Sequence, residues 1–157
     1  MLINLYIYSG LGNIIAIVDS LREDISIHSS DVVKLHHNKS VNFDQLINIL
    51  PPIDKDNDFD VKIYNNDGSL ASNCINGARC VSKFIADNEL SAYKKIKVFT
   101  DGGIWHLEVI NQDRYSASFL ISDDIENIEF NLENQDLSLD CINLGNPRGV
   151  NFKKMDS

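Results

Sequence analysis

The sequence predicts an α+β fold, a curled and mostly antiparallel sheet around one principal helix. Three observations carry that expectation. The first 20 residues hold two Ile-rich segments split by a Gly turn. Residues 74–88 hold the clearest helical pattern in the chain. Residues 94–122 hold three strand-like runs separated by two tight turns. With 157 residues, 43% of them hydrophobic, the chain is long enough for one ordinary core and short for two. We expect one lobe over residues 1–150 and a polar tail over 151–157.

Residues 2–8, LINLYIY, alternate and are rich in Ile, Leu and Tyr, which predicts a strand. SGLGN (9–13) is a Gly turn, and IIAIVDS (14–20) returns as a second, more buried strand. DVVKLHH (31–37) reads as a short helix capped by Ser29 or Ser30. FDQLINIL (43–50) is strand or helix by pattern alone, and Pro51–Pro52 ends it. DKDNDFD (54–60) is a solvated turn, DVKIYNN (60–66) a strand, and NDGS a tight turn.

From Cys74 to about Asn88, Ala78, Val81, Phe84 and Ile85 fall on one helical face, with Arg79, Lys83 and Asp87 largely off it. KKIKVFT, IWHLEVI and RYSASFLI, split by DGG and NQD, form a β-meander. Residues 123–138 are acidic and Asn-rich and read as loop with short strands. DCINLG (140–145) is a last strand before NPRG.

The net charge of −9 argues against nucleic acid as a partner, because phosphate binding needs a basic surface. No apolar run reaches the roughly 18–20 residues of a membrane span. The N-terminus lacks the basic start and small-residue cleavage site of a secretory signal. We expect a cytoplasmic protein. Its three cysteines, an odd number without an export signal, are expected to be reduced.

The stretch DGSLASNCINGARC (67–80) places two of those cysteines six residues apart. That is wider than the two to four residues of common zinc knuckles. His28, His36, His37 and His106 show no spacing that completes a metal site. We therefore expect no metal. Cys80 inside the helix and Cys141 in a strand read as buried structural thiols. Cys74 stands at the helix start, where unpaired N–H groups and the positive end of the dipole favour thiolate. The same N–H groups can hold a carboxylate. Two readings stand for it: a reactive thiol beside an anion site, or a small buried hydrophobe next to a turn.

SGLGN, FDQL, IYNNDGSLASNCINGARC, FTDGG and LGNPRGV occur here in the order of motifs in diaminopimelate epimerases, which this chain resembles from residue 9 to about 150. The resemblance implies a cofactor-independent amino acid epimerase, which interconverts LL- and meso-diaminopimelate for lysine and peptidoglycan precursors. It implies two similar lobes, each a β-barrel-like curled sheet around a central helix. Each lobe contributes one cysteine, on opposite faces of the substrate Cα. One thiolate removes the α-proton while the other thiol delivers a proton. Cys74 matches the first-lobe cysteine. Asn13, Gln45, Asn65 and Asn146 match substrate-binding positions, and the backbone at Ile75 and Asn76 would hold the α-carboxylate. No cofactor is implied. Neutral amides fix a zwitterion without adding charge, and a thiol–thiolate pair exchanges roles between the two directions. Asn65, Asn66 and Asp67 also suit a turn on their own account.

The sequence departs from the family pattern in places. The second lobe, with its partner cysteine, is expected to be absent, and Cys141 is a poor substitute. Ile75 stands where the family has Gly, so its branched side chain would crowd the carboxylate or forbid a positive φ. Ile14 replaces Asp, SVN (40–42) replaces a Gly-rich lead, and Arg148 replaces His. An isolated lobe would expose its former interface, so a homodimer or a second-lobe partner is expected beside a small amino acid substrate. The alternatives are a catalytically silent amino-acid-binding or degenerate domain, and a related isomerase on the same fold. A phenazine-pathway-like enzyme of that kind lacks a cysteine mechanism, which Cys74 argues against.

Overall fold

The Ile-rich N-terminal segments pair through a two-residue turn. The computed structural model describes residues 4–21, 25–38, 41–120, 125–132, 135–143 and 147–150. β1 (Tyr6–Gly10) and β2 (Asn13–Asp19) pair antiparallel, with Gly10 opposite Asn13. Leu11 (φ 50°) and Gly12 (φ 92°) both take positive φ, the backbone that matches the twist of a two-residue hairpin. Leu11 tolerates this without the help of a missing Cβ, at a cost of about 1 kcal/mol.

α1 (Ser29–His37) carries the chain from β2 to β3 (Gln45–Leu50), which lies parallel to β2. The cap of α1 is His28 rather than Ser29 or Ser30. The Asp31 carboxylate accepts the His28 N–H at 3.2 Å, which pulls the helix start one residue upstream. FDQLINIL resolves as a strand buried on both faces, which is why its pattern was ambiguous. Leu46 packs outward with Ala16, Val18, Val32 and Phe43, while Ile47 and Ile49 pack inward.

β4 (Phe59–Asn65) pairs antiparallel with β3 and carries the short β5 (Leu70–Ala71). α2 (Ile75–Asp87) then crosses to β6 (Lys95–Thr100), which is parallel to β4. β7 (Gly103–Asn111) and β8 (Arg114–Phe119) complete the meander. The eight-stranded sheet runs β1-β2-β3-β4-β6-β7-β8, antiparallel except for its two crossovers. It curls around α2, which touches β1 and β2 at one end of the sheet and β7 and β8 at the other. Tyr6 and Tyr8 meet Phe84 edge-on at 5.0 and 6.2 Å. Enclosure buries more of α2 than one stripe: Gly77, Cys80 and Ser82 are buried along with the predicted face.

The acidic, Asn-rich region differs from its expectation. β9 (Ile125–Leu132), β10 (Gln135–Asn143) and β11 (Pro147–Val150) form a three-stranded antiparallel sheet, with longer strands within 125–138 than the loop with short strands expected there, while the strand expected from Asp140 is the last part of β10. Its polar residues are ladder partners: Asn127 Nδ2 donates to Ser138 Oγ and to Asp140 Oδ1, both at 2.8 Å. Cys141, expected to be buried, is half-exposed there. No helix among the described residues is long and apolar enough to cross a membrane.

Candidate active site

Three columns of apolar side chains line the concave face of the sheet: Ile15–Ile17, Ile47–Ile49 and Val61–Ile63. Side chains alternate along a strand, so the next inward position of each column is Asn13, Gln45 and Asn65. Register sets them side by side: Gln45 lies opposite Ile15 on one flank and opposite Asn65 on the other. Gln45 Nε2 donates to Asn65 Oδ1 at 2.9 Å, and Asn65 Nδ2 donates to Ser69 Oγ at 3.0 Å. Three neutral amides therefore end the core at the edge where α2 begins. They open, with Cys74, Ile75, Asn76 and Arg79, onto a cleft of about 600 Å³.

Cys74 is the N-cap of α2, in extended backbone (φ −148°) and 9% exposed. Its Sγ accepts the Gly77 N–H at 3.1 Å. Burial pushes this thiol above its ordinary range, and the N–H groups of Gly77 and Asn76 pull it down less strongly. The thiolate expected from the helix start is thus overridden by desolvation in this open cleft. A raised value means the proton is held at neutral pH and leaves only as pH climbs past 9.0, the ordinary value. Alkylation of Cys74 by iodoacetamide, followed peptide by peptide by mass spectrometry, should accelerate tenfold per pH unit through pH 9. A plateau reached below pH 8 would contradict this. Cys80, in the core behind it, is pushed up to about 11, chiefly by burial and then by the neighbouring Cys74 charge.

Residues the sequence did not single out hold this arrangement. Asp44 Oδ2 accepts the Ile14 N–H at 2.7 Å, while the Asp44 N–H donates to the Ile14 carbonyl at 2.8 Å. Its own carbonyl accepts the Asn66 N–H at 3.1 Å. Asp44 thus locks the strand ends that bear Asn13, Gln45 and Asn65. Asn73 is buried beside the thiol, and its Oδ1 accepts the Trp105 Nε1–H at 2.7 Å. Two motif glycines are needed for close approach. A Cβ on Gly77 would stand 2.6 Å from Ile47 Cδ1 and 3.0 Å from Cys74 Sγ. One on Gly102 would stand 2.5 Å from the Ser72 carbonyl, pushing the FTDGG turn off the strand that leads into Cys74.

The family model for diaminopimelate epimerase matches residues 5–121, about three-quarters of the chain. The chain belongs to the diaminopimelate epimerase family. It is 31% identical over 156 residues to the diaminopimelate epimerase of Pseudomonas syringae pv. tomato, covering 90% of this chain and 56% of that protein. The Coxiella burnetii diaminopimelate epimerase is 28% identical over 163 residues, with 96% and 59% covered. The chain therefore spans a little over half the length of these relatives. Among solved structures, a hydroxyproline epimerase from Agrobacterium vitis superposes with a TM-score of 0.63 at 10% identity, over 89% of this chain and 48% of that one. A phenazine biosynthesis protein from Bacillus anthracis superposes at 0.53 and 14% identity, over 88% and 40%. At these identities the likeness is one of fold.

In this member of the diaminopimelate epimerase family, Asn13, Gln45, Asn65, Cys74, Ile75 and Asn76 line one cleft. Asn146 lies outside the described residues, as does the side chain of Arg148. Cys80 and Cys141 do not line the cleft. Ile75 opens α2 and is not among the residues with positive φ, so its branched side chain meets no backbone conflict. It remains on the cleft wall, 37% exposed. Ile14 acts through its backbone, whose N–H donates to Asp44 Oδ2. Leu11, Asp44, Asn73 and Arg79 are lining residues that the sequence reading missed. Asp44 and Arg79 both sit inside quoted motifs, FDQL and NGARC, and that was the available signal. Among the described lining residues they alone carry charge.

Proposed function

We propose that this chain is the first-lobe half of a cofactor-independent amino acid epimerase acting on diaminopimelate. The observation that carries the reading is the convergence of one thiol, one helix N-terminus and three neutral amides on a single cleft. The N–H groups of Ile75 and Asn76 face the substrate α-carboxylate at the open end of α2, whose first turn holds no acidic side chain. Held there, the carboxylate takes up the charge that develops as the α-proton leaves. Asn13, Gln45 and Asn65 orient the remainder of the zwitterion. Cys74, as thiolate, takes the α-proton on its face, and a thiol on the opposite face delivers one to Cα. The reverse direction exchanges their roles.

The substrate's ammonium group offsets the desolvation that holds Cys74 protonated in the open cleft. The opposite thiol comes from a second lobe closing over the cleft rim, where Leu11 is 81% exposed on a positive-φ backbone. A second copy of the chain is the other way to cover that rim. A catalytically silent amino-acid-binding lobe is the second reading, favoured by the neutral thiol of the open cleft. Titration calorimetry tests the shared requirement. LL-Diaminopimelate should bind, and Gln45→Ala should weaken it by up to about tenfold, the value of one lost hydrogen bond. Absence of binding at millimolar ligand would contradict both readings.

A further inference from the structure

On the convex face of the sheet, away from Cys74, a second cleft of about 560 Å³ lies between the 51–58 loop and strands β6 and β7. Its floor is one cross-strand row, with Asp60 opposite Phe99 and Phe99 opposite Ile104. The loop is fastened to that floor: the Lys97 N–H donates to Asp58 Oδ2 at 2.7 Å, and the Asp58 N–H to the Lys97 carbonyl at 2.9 Å. Ile53 and Leu120 stand over it, 93% and 90% exposed, large apolar side chains left in water on either side of a recess.

The floor holds an unmatched charge. Asp60 is only 6% exposed, and its Oδ2 accepts the Ile53 N–H at 3.1 Å. Its Oδ1 is buried with no hydrogen-bond partner. Lys97 lines the same cleft, yet the ion pairs of the described residues, Lys34–Asp31 and Lys83–Asp87, leave Asp60 out. Asp54 and Asp56 on the rim make the surroundings more acidic still. A buried carboxylate oxygen is an acceptor only, and leaving it unmatched is costly. The lining sets four apolar side chains among polar ones that include Lys97 and His106, and a concave site of this size and mixture has the form of a small-molecule pocket.

We propose that this convex-face cleft binds a small molecule with an apolar body and a terminal ammonium group, the ammonium pairing with the Asp60 carboxylate and the body lying on Phe99, Ile104, Ile53 and Leu120. The site is distinct from the Cys74 cleft and independent of the epimerase reading. The test is titration of the ¹⁵N-labelled chain by NMR with hexylammonium and with 1-hexanol. Hexylammonium should give saturable shifts at Ile53, Asp60, Phe99 and Ile104. Hexanol should bind at least about tenfold more weakly, as should hexylammonium to Asp60→Asn. Asn still accepts the Ile53 N–H and removes the charge, and the unchanged amide shifts of its core residues check that it folds. Leu120→Ser, at an exposed position that leaves the fold alone, should weaken both ligands and keep their ratio. The proposal is overturned if no saturable shifts occur, if they map only to the Cys74 cleft, or if hexanol or Asp60→Asn matches the wild-type hexylammonium affinity.

Discussion

Trp105→Ala is expected to remove about 3–5 kcal/mol of stability, the cost of truncating a fully enclosed aromatic side chain. Trp105 is the single tryptophan of the chain, has no exposed surface, and lies on the inward side of β7 among the residues that enclose α2. Domains of this kind hold about 5–15 kcal/mol in all, so the loss is a large fraction of the total. Urea unfolding followed by far-ultraviolet circular dichroism measures it, since the variant has no tryptophan fluorescence. A loss below about 1 kcal/mol would contradict the packing described for β7. Trp105→Phe separates packing from positioning. Phe keeps one aromatic ring but loses the pyrrole half of the indole with its Nε1–H to Asn73 Oδ1, so about 1–3 kcal/mol should go with it. Asn73 immediately precedes the cap of α2, and alkylation of Cys74 should change in this variant beyond what that loss of stability explains.

The same residues show what a sequence can and cannot disclose about this fold. Residues 74–88 were legible because a 3.6-residue apolar period and a cap coincide there, and the observed helix ends at Asp87. The cleft amides were legible as motif members, but not as neighbours. Their adjacency comes from the parallel pairing of β2 with β3 across the α1 crossover and the antiparallel pairing of β3 with β4, which no local pattern encodes. Asp44 was hidden for the same reason. As an Asp before a strand it reads as turn chemistry, and only the pairing brings its carboxylate to the Ile14 N–H. Residues 123–138 read as loop with short strands because Asn, Asp and Glu dilute the alternation of β9 and of the first part of β10. Cross-strand partners, such as Asn131 Nδ2 to Asp136 Oδ1 at 2.8 Å, satisfy those groups only once the ladder exists. The upward push on the Cys74 thiol is not legible in the sequence, because the helix dipole is a local feature and burial is a tertiary one.

Cys74→Ala carries the largest expected functional effect. The proton transfer proposed for this chain's face of the substrate passes through its sulfur, and Asp44, the carboxylate on the lining, is engaged by the Ile14 N–H. Loss of a positioned acid–base group costs about 10²–10⁴-fold in rate. The alanine variant should keep its fold, because Cys74 contributes a small side chain at a helix cap whose loss costs about 1 kcal/mol. The Asn13, Gln45 and Asn65 amides remain, so substrate binding should persist while proton transfer stops. The direct measurement is ¹H NMR of LL-diaminopimelate in deuterium oxide, following loss of the Cα–H signal with the wild-type chain and with Cys74→Ala, each supplied with the second lobe of a family member. The account predicts exchange with the wild type and at least a hundredfold slower exchange with the variant. Equal exchange rates in the two, or no exchange with the wild type, would contradict it.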